Sequence, residues 1–314
     1  ISSRFGFKNF FIDEIHYLPN WDKFLKEVFE YKSYNIWFTG SSAINLSILG
    51  ADLSRRAVLY HLHPLSFREY LNFNYGHSIK PISFEEILKK KEKLTLDIAP
   101  YANKINDYMK FGGFPYGSNT EDYYRAFANV IRKILYEDVP KVKQIDEKDI
   151  FYLYRLLSFL AESGGELSPK NVASDLGISR NYVYSLLDIL EKCLLVYPVK
   201  PYGKGRKILR RGAKYLMPLS VRFGINMING KGTDIGFLRE DFFTTSLSND
   251  VENLFFFRAP GKRPDFYYKG VIFEIGGPSK GKSQLKGKYK QYLVKQSLVT
   301  DEKTVPLHLF GFLY

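Results

Sequence analysis

The chain has 314 residues, 45% of them hydrophobic and 25% charged, which suits two or three domains with their own cores. No run nears the roughly 18 apolar residues of a membrane span and no basic-then-apolar leader opens the chain, so a membrane protein is excluded and the cytoplasm is expected. The single cysteine, Cys193, excludes an internal disulfide and a cysteine-rich zinc module. The net charge of +13 is uneven: residues 1–150 hold 21 basic and 19 acidic groups, residues 151–314 hold 25 and 14. A polyanion such as DNA would dock on the second half, although a lysine-rich solubility surface has the same signature.

In chain order, residues 8–12 read as a short strand, and Trp21, Phe24, Leu25, Val28 and Phe29 recur at the spacing of one helix face. A second strand, Asn35 to Thr39, ends in Gly40-Ser41-Ser42, so strand, helix and strand predict a parallel pair. Residues 57–63 are β-rich and closed by Pro64. Residues 84–160 read as mainly helical, broken at Gly112-Gly113-Phe114-Pro115, and three helices are expected over 150–195. Beyond 195 the chain turns strand-rich and glycine-punctuated.

An apolar strand ending in Asp13-Glu14 suits nucleotide hydrolysis, since its tip can place Asp13 on Mg²⁺ and Glu14 beside an attacking water; an isolated pair of this kind also serves as a helix cap. The series Phe11-Ile12-Asp13-Glu14-Ile15-His16-Tyr17-Leu18-Pro19, Phe38-Thr39-Gly40-Ser41-Ser42, Leu53-Ser54-Arg55-Arg56 and Pro64-Leu65-Ser66-Phe67-Arg68-Glu69-Tyr70 resembles a family of archaeal AAA-type ATPases, as do the Gly113-Phe114-Pro115 turn and a downstream winged helix. The resemblance implies ATP and Mg²⁺ as cofactors, Asp13 and Glu14 as the Walker B pair, and Thr39 and Ser41 as a γ-phosphate sensor. It also implies Arg55 or Arg56 as the arginine meeting developing charge, within the chain or on a neighbouring subunit of a homo-oligomer. The family's phosphate loop precedes the Walker B strand, whereas only nine residues precede Phe10 here and the first is Ile1, so an upstream segment is expected.

A second phosphate-loop pattern, Gly276 to Ser283, fits G-x-x-x-x-G-K-[ST] at Gly276, Gly281, Lys282 and Ser283. It follows a strand at 271–275 and precedes a run whose Leu285, Tyr289, Tyr292 and Leu293 predict a surface helix. A basic glycine-rich turn explains the pattern as well as a permuted nucleotide site does.

Ser168-Pro169 caps a helix that Gly177 stops, and Ser179 caps a longer one with Val183, Leu186, Leu187 and Leu190 inward, a helix-turn-helix. Its outer face carries Arg180, Asn181 and Tyr184. The segment from Lys200 to Lys214 holds seven basic residues and no acid, with Lys204, Arg206, Lys207, Arg210 and Arg211 suited to phosphate contacts on a wing. Such modules also serve in packing alone. Finally, Asp265 opens one strand and Glu274 lies in the next, a pair suited to Mg²⁺ beside a scissile phosphate, with Glu240 on a preceding helix. This end is similar to the PD-(D/E)xK nuclease fold, but Gly276 stands where that fold has its lysine, leaving Lys280 or Lys282 to reach in.

The expected fold is thus α/β: part of an AAA P-loop core (1–75), a helical lid or linker (76–148), a winged helix-turn-helix (149–215) and a restriction-endonuclease-like α/β domain (216–314). The expected function is ATP-dependent action on, or switching at, DNA, with winged-helix DNA contact. A non-enzymatic DNA-binding or signalling module and a permuted NTPase using Lys282 are the alternatives.

Overall fold

In the computed structural model the described residues are 6–30, 34–40, 56–58, 60–115, 120–142, 145–165, 167–203, 212–256, 265–283, 285 and 290–314. They form a mixed α/β protein with a two-stranded and a seven-stranded sheet.

The N-terminal sheet pairs β1 (Asn9–Ile12) and β2 (Asn35–Phe38) in parallel across helix α1 (Trp21–Glu30). Its core is small: Ile15, Trp21 and Leu25 are buried against Ile12, Ile36 and Phe38. The opposite face of the sheet is open, and there Phe11 and Trp37 stack with ring centroids 4.8 Å apart. The β-rich run over 57–63 forms no strand among the described residues. Val58, Tyr60 and Leu62 stand exposed and His63 packs against the Tyr197 ring.

Two larger cores follow. Helices α2 (Phe67–Tyr75), α3 (Phe84–Ile98) and α4 (Ile105–Phe111) pack with the C-terminal sheet through Phe67, Leu71, Ile87 and Tyr108. Ser66 and Ser83 open α2 and α3 with reciprocal capping boxes to Glu69 and Glu86. The second core joins α5 (Thr120–Lys133) to α6 (Glu147–Glu162), α7 (Pro169–Leu176) and α8 (Arg180–Lys192). Ser168 and Ser179 cap α7 and α8, and Gly177 ends α7 at φ 64°.

The seven-stranded sheet has the order β4 (Lys214–Leu216), β3 (Tyr197–Pro201), β5 (Leu254–Phe256), β6 (Phe266–Tyr268), β7 (Val271–Gly276), β8 (Lys290–Lys295) and β9 (Thr304–Pro306). β5, β6 and β7 run antiparallel, and β7, β8 and β9 run parallel. β3 and β4, which flank the basic segment, pair with each other and extend this sheet through β5. The helix expected behind Ser283 is corrected: Lys290–Lys295 is a strand beside β7 with Tyr292, Leu293 and Val294 buried. Those three apolar residues in succession satisfy a strand covered on both faces better than an amphipathic helix.

Helices α9 (Val221–Ile228) and α10 (Ile235–Thr245) join the two larger cores. At the joint, Arg222 is fully buried and its Nε and Nη2 donate to the Asp241 carboxylate at 2.5 and 3.2 Å. Its Nη1 donates to the Leu160 and Ala161 carbonyls at the end of α6, at 2.7 and 2.8 Å. One cation thereby closes the C-terminal end of α6 onto α10.

Candidate carboxylate centre and AAA-like strand tips

β6 and β7 form a hairpin turned by Lys269 and Gly270, whose φ of 44° and 81° are the left-handed values a tight primed turn needs. Since Phe266 faces Phe273 in this register, Asp265 stands opposite Glu274 one step further on. The backbone fixes Asp265 from both sides: its N–H donates to the Phe273 carbonyl (3.1 Å), and the Ile275 N–H donates to its Oδ2 (2.6 Å).

Glu274 is 1% exposed in a strand whose every residue is buried. A carboxylate there needs a partner, and Lys280 Nζ lies 2.5 Å from its Oε1. Gly276 is what admits that lysine, because a Cβ at position 276 would sit 2.5 Å from both Cβ and Cγ of Lys280. The glycine that interrupts the expected lysine position thus makes room for a lysine folding back from four residues later.

Glu240, on α10, pairs with Lys214 of β4, the residue that closes the basic segment and that no local spacing places here. Burial, then repulsion from Glu240 and Glu274, pushes the Asp265 carboxyl up to about 7. Burial also raises Glu274 despite its bond to Lys280. Among the described residues the three carboxylates of Glu240, Asp265 and Glu274 face the ammonium groups of Lys214 and Lys280. Mg²⁺ needs only one or two carboxylates, with water and substrate phosphate completing its shell, so Asp265 and Glu274 fit it. Among the described residues no group of three or more His, Cys, Asp or Glu forms an all-protein metal cage.

In the phosphate-loop pattern, Lys282 Nζ lies 2.7 Å from Asp301 Oδ2, and residues 284 and 286–289, where a helix behind Ser283 would start, fall outside the described residues. Against partial burial, the hydrogen bonds from Lys282, the Lys303 backbone and Thr304 hold the Asp301 carboxyl at about 2.

At the N-terminal sheet the strand tips do converge. The Thr39 hydroxyl donates to Asp13 Oδ1, and the Glu14 N–H donates to Thr39 Oγ1 at 3.1 Å. Glu14 has a left-handed φ of 49°, and its Oε1 lies 3.6 Å from Lys133 Nζ on α5. The Arg56 guanidinium lies over the Phe29 ring at 5.7 Å, while Ser41 and Arg55 fall outside the described residues. On α8, Arg180, Asn181 and Tyr184 are exposed along one face; Lys204, Arg206, Lys207, Arg210 and Arg211 also fall outside the described residues.

Residues 3–71 match the family model of an AAA domain, so the N-terminal segment is AAA-like. Residues 102–218 match a domain family of unknown function. An uncharacterized protein of Methanocaldococcus jannaschii is 27% identical over 94% of this chain and 67% of its own length. A second from that organism is 27% identical over 85% of the chain, and one from Haemophilus influenzae 28% identical over 66%. The chain spans 60% and 50% of those two relatives. No solved structure matches. Among the described residues no helix is long and apolar enough to cross a membrane.

Proposed function

We propose that the chain is part of an ATP-dependent protein acting on DNA, in which an AAA-like segment responds to nucleotide and the carboxylate centre hydrolyses a phosphodiester. The observation that carries this reading is the meeting of Asp265 and Glu274 with Lys280 at the place Gly276 leaves open. Asp265 and Glu274 would hold Mg²⁺, which when bound supplies Lewis-acid stabilisation of charge on the phosphate. Lys280 opposes the burial that favours protonated Glu274 and would put an ammonium beside the reacting oxygens. Lys214 pairs with Glu240 at the edge of the same cluster. At the other end, Asp13 would serve Mg²⁺-ATP, Glu14 the water and Thr39 the γ-phosphate, with Arg55 or Arg56 acting across a homo-oligomer. In the conformation described, Lys133 engages Glu14, so α5 would have to release it for hydrolysis. DNA would be met by the α8 face and the basic segment after β3.

The experiment is cleavage of end-labelled duplex DNA in Mg²⁺, lost on Asp265→Ala. A second reading, a DNA-binding or signalling module without cleavage, is favoured by the two lysines already neutralising Glu240 and Glu274. DNA binding with no cleavage by the unaltered chain would select it.

A further inference from the structure

Arg239, the residue before Glu240 on α10, borders a cavity of about 710 Å³ between α4, α10, the turn after β7 and the end of β8. That volume is the scale of a small-ligand site. Its wall includes Lys110 and Arg239 and no carboxylate. Neither cation has an ion pair among the described residues. The Arg239 guanidinium is held flat against the chain at Gly277, where a Cβ would lie 3.3 to 3.4 Å from its atoms. Its Nε donates to Gln296 Oε1 at 2.5 Å, and Gln296 Nε2 donates to Asn106 Oδ1 at 2.7 Å. The guanidinium is thus oriented by neutral amides, with Asp234 acting on it only through its field and no carboxylate in contact among the described residues.

Two further wall residues have unmet hydrogen-bonding groups. His308 is 4% exposed and hydrogen-bonds the Ala102 backbone through one ring nitrogen, while its Nδ1 has no partner. Burial pushes His308 down to about 4, so the ring is neutral near pH 7 and Nδ1 presents a lone pair. Ser297 Oγ is buried and likewise has no partner. A fitting ligand therefore carries an anionic group for Lys110 and Arg239, and an N–H or O–H for His308 and Ser297.

We propose that this cavity binds a nucleotide unit, its phosphate on Lys110 and Arg239 and its nucleoside donor on His308 and Ser297. The source is a free nucleoside monophosphate or the 5′-phosphorylated end of a DNA strand. None of these residues belongs to the carboxylate centre, and the test is run without metal, so cleavage and cavity binding fail separately.

Calorimetric titration with dAMP and with inorganic phosphate, and anisotropy of hexadeoxynucleotides with a 5′-phosphate or 5′-hydroxyl, are measured in EDTA. The dAMP binds more tightly than phosphate alone. Lys110→Gln and Arg239→Gln each weaken it by about tenfold, the size of one charge-assisted contact, and Ser297→Ala by a few-fold. Lys110 is half-buried at the rim, and an unchanged melting curve of Lys110→Gln keeps its result readable. A strand end is the source if the 5′-phosphate oligonucleotide binds about tenfold better than the 5′-hydroxyl one and is displaced by dAMP. Binding of dAMP alone identifies the free nucleotide. Absence of binding by both dAMP and the 5′-phosphate oligonucleotide, or affinity unchanged in both charge variants, overturns the proposal.

Discussion

Replacing Asp265 by Asn should stabilise the protein at pH 8 and do nothing at pH 4. The folded carboxyl titrates at about 7 because burial and its neighbours Glu240 and Glu274 oppose its charge, against an ordinary value of 3.8. Between those two values the folded chain keeps a proton that the unfolded chain has released, so stability falls as pH rises through the window and stays low above it. The gap corresponds to about 4 kcal/mol at full size, and sharing of the proton with Glu274 brings the expected gain to about 2–4 kcal/mol. Asn retains an oxygen for the Ile275 N–H. Melting curves of both proteins in EDTA should separate by about 5 °C or more at pH 8 and converge by pH 4. Parallel curves across the range would refute the view that Asp265 is held against repulsion.

Gly276→Ala should lower the cleavage rate at least tenfold with little change in DNA affinity, because the new methyl drives Lys280 off Glu274; single-turnover kinetics beside a binding isotherm check both halves. Arg222→Met should cost about 3–5 kcal/mol, measured by urea unfolding, since it leaves Asp241 buried and unpaired. His308 titrates at about 4 when folded and near 6.5 when unfolded, so it contributes about 3 kcal/mol above pH 6.5 that is lost as pH falls towards 4. His308→Gln should flatten that acid limb of the stability curve. Alanine at Arg180, Asn181 and Tyr184 together should weaken duplex DNA binding and its salt dependence while leaving the melting temperature within a few degrees, because all three side chains are exposed.

Local pattern carried the sequence reading as far as single strands and helices. The Phe10–Ile12 strand was legible from its apolar run, whereas Asp13-Glu14 drew weight only from the motifs that follow, since an isolated acidic pair also caps helices; Asp265 and Glu274 could be paired because a short hairpin fixes its own register. Lys280 was half legible: the expected lysine position was visibly empty, but which later lysine would fill it depended on a turn whose course only the fold determines. The phosphate-loop pattern drew attention to Lys282, which Asp301 holds instead. β8 was misread because Leu285, Tyr289, Tyr292 and Leu293 repeat at helical spacing, while the parallel edge of β7 that recruits 290–295 is remote information. Lys214 with Glu240, and Arg222 with Asp241, lie 26 and 19 residues apart, and no local spacing predicts such pairs.

The central claim is that Asp265 and Glu274 form a divalent-cation site beside Lys280. Counting bound Mn²⁺ by paramagnetic resonance without nucleotide tests it most directly. The unaltered chain should bind one ion more than Asp265→Asn; the same number bound with the same affinity by both would contradict it.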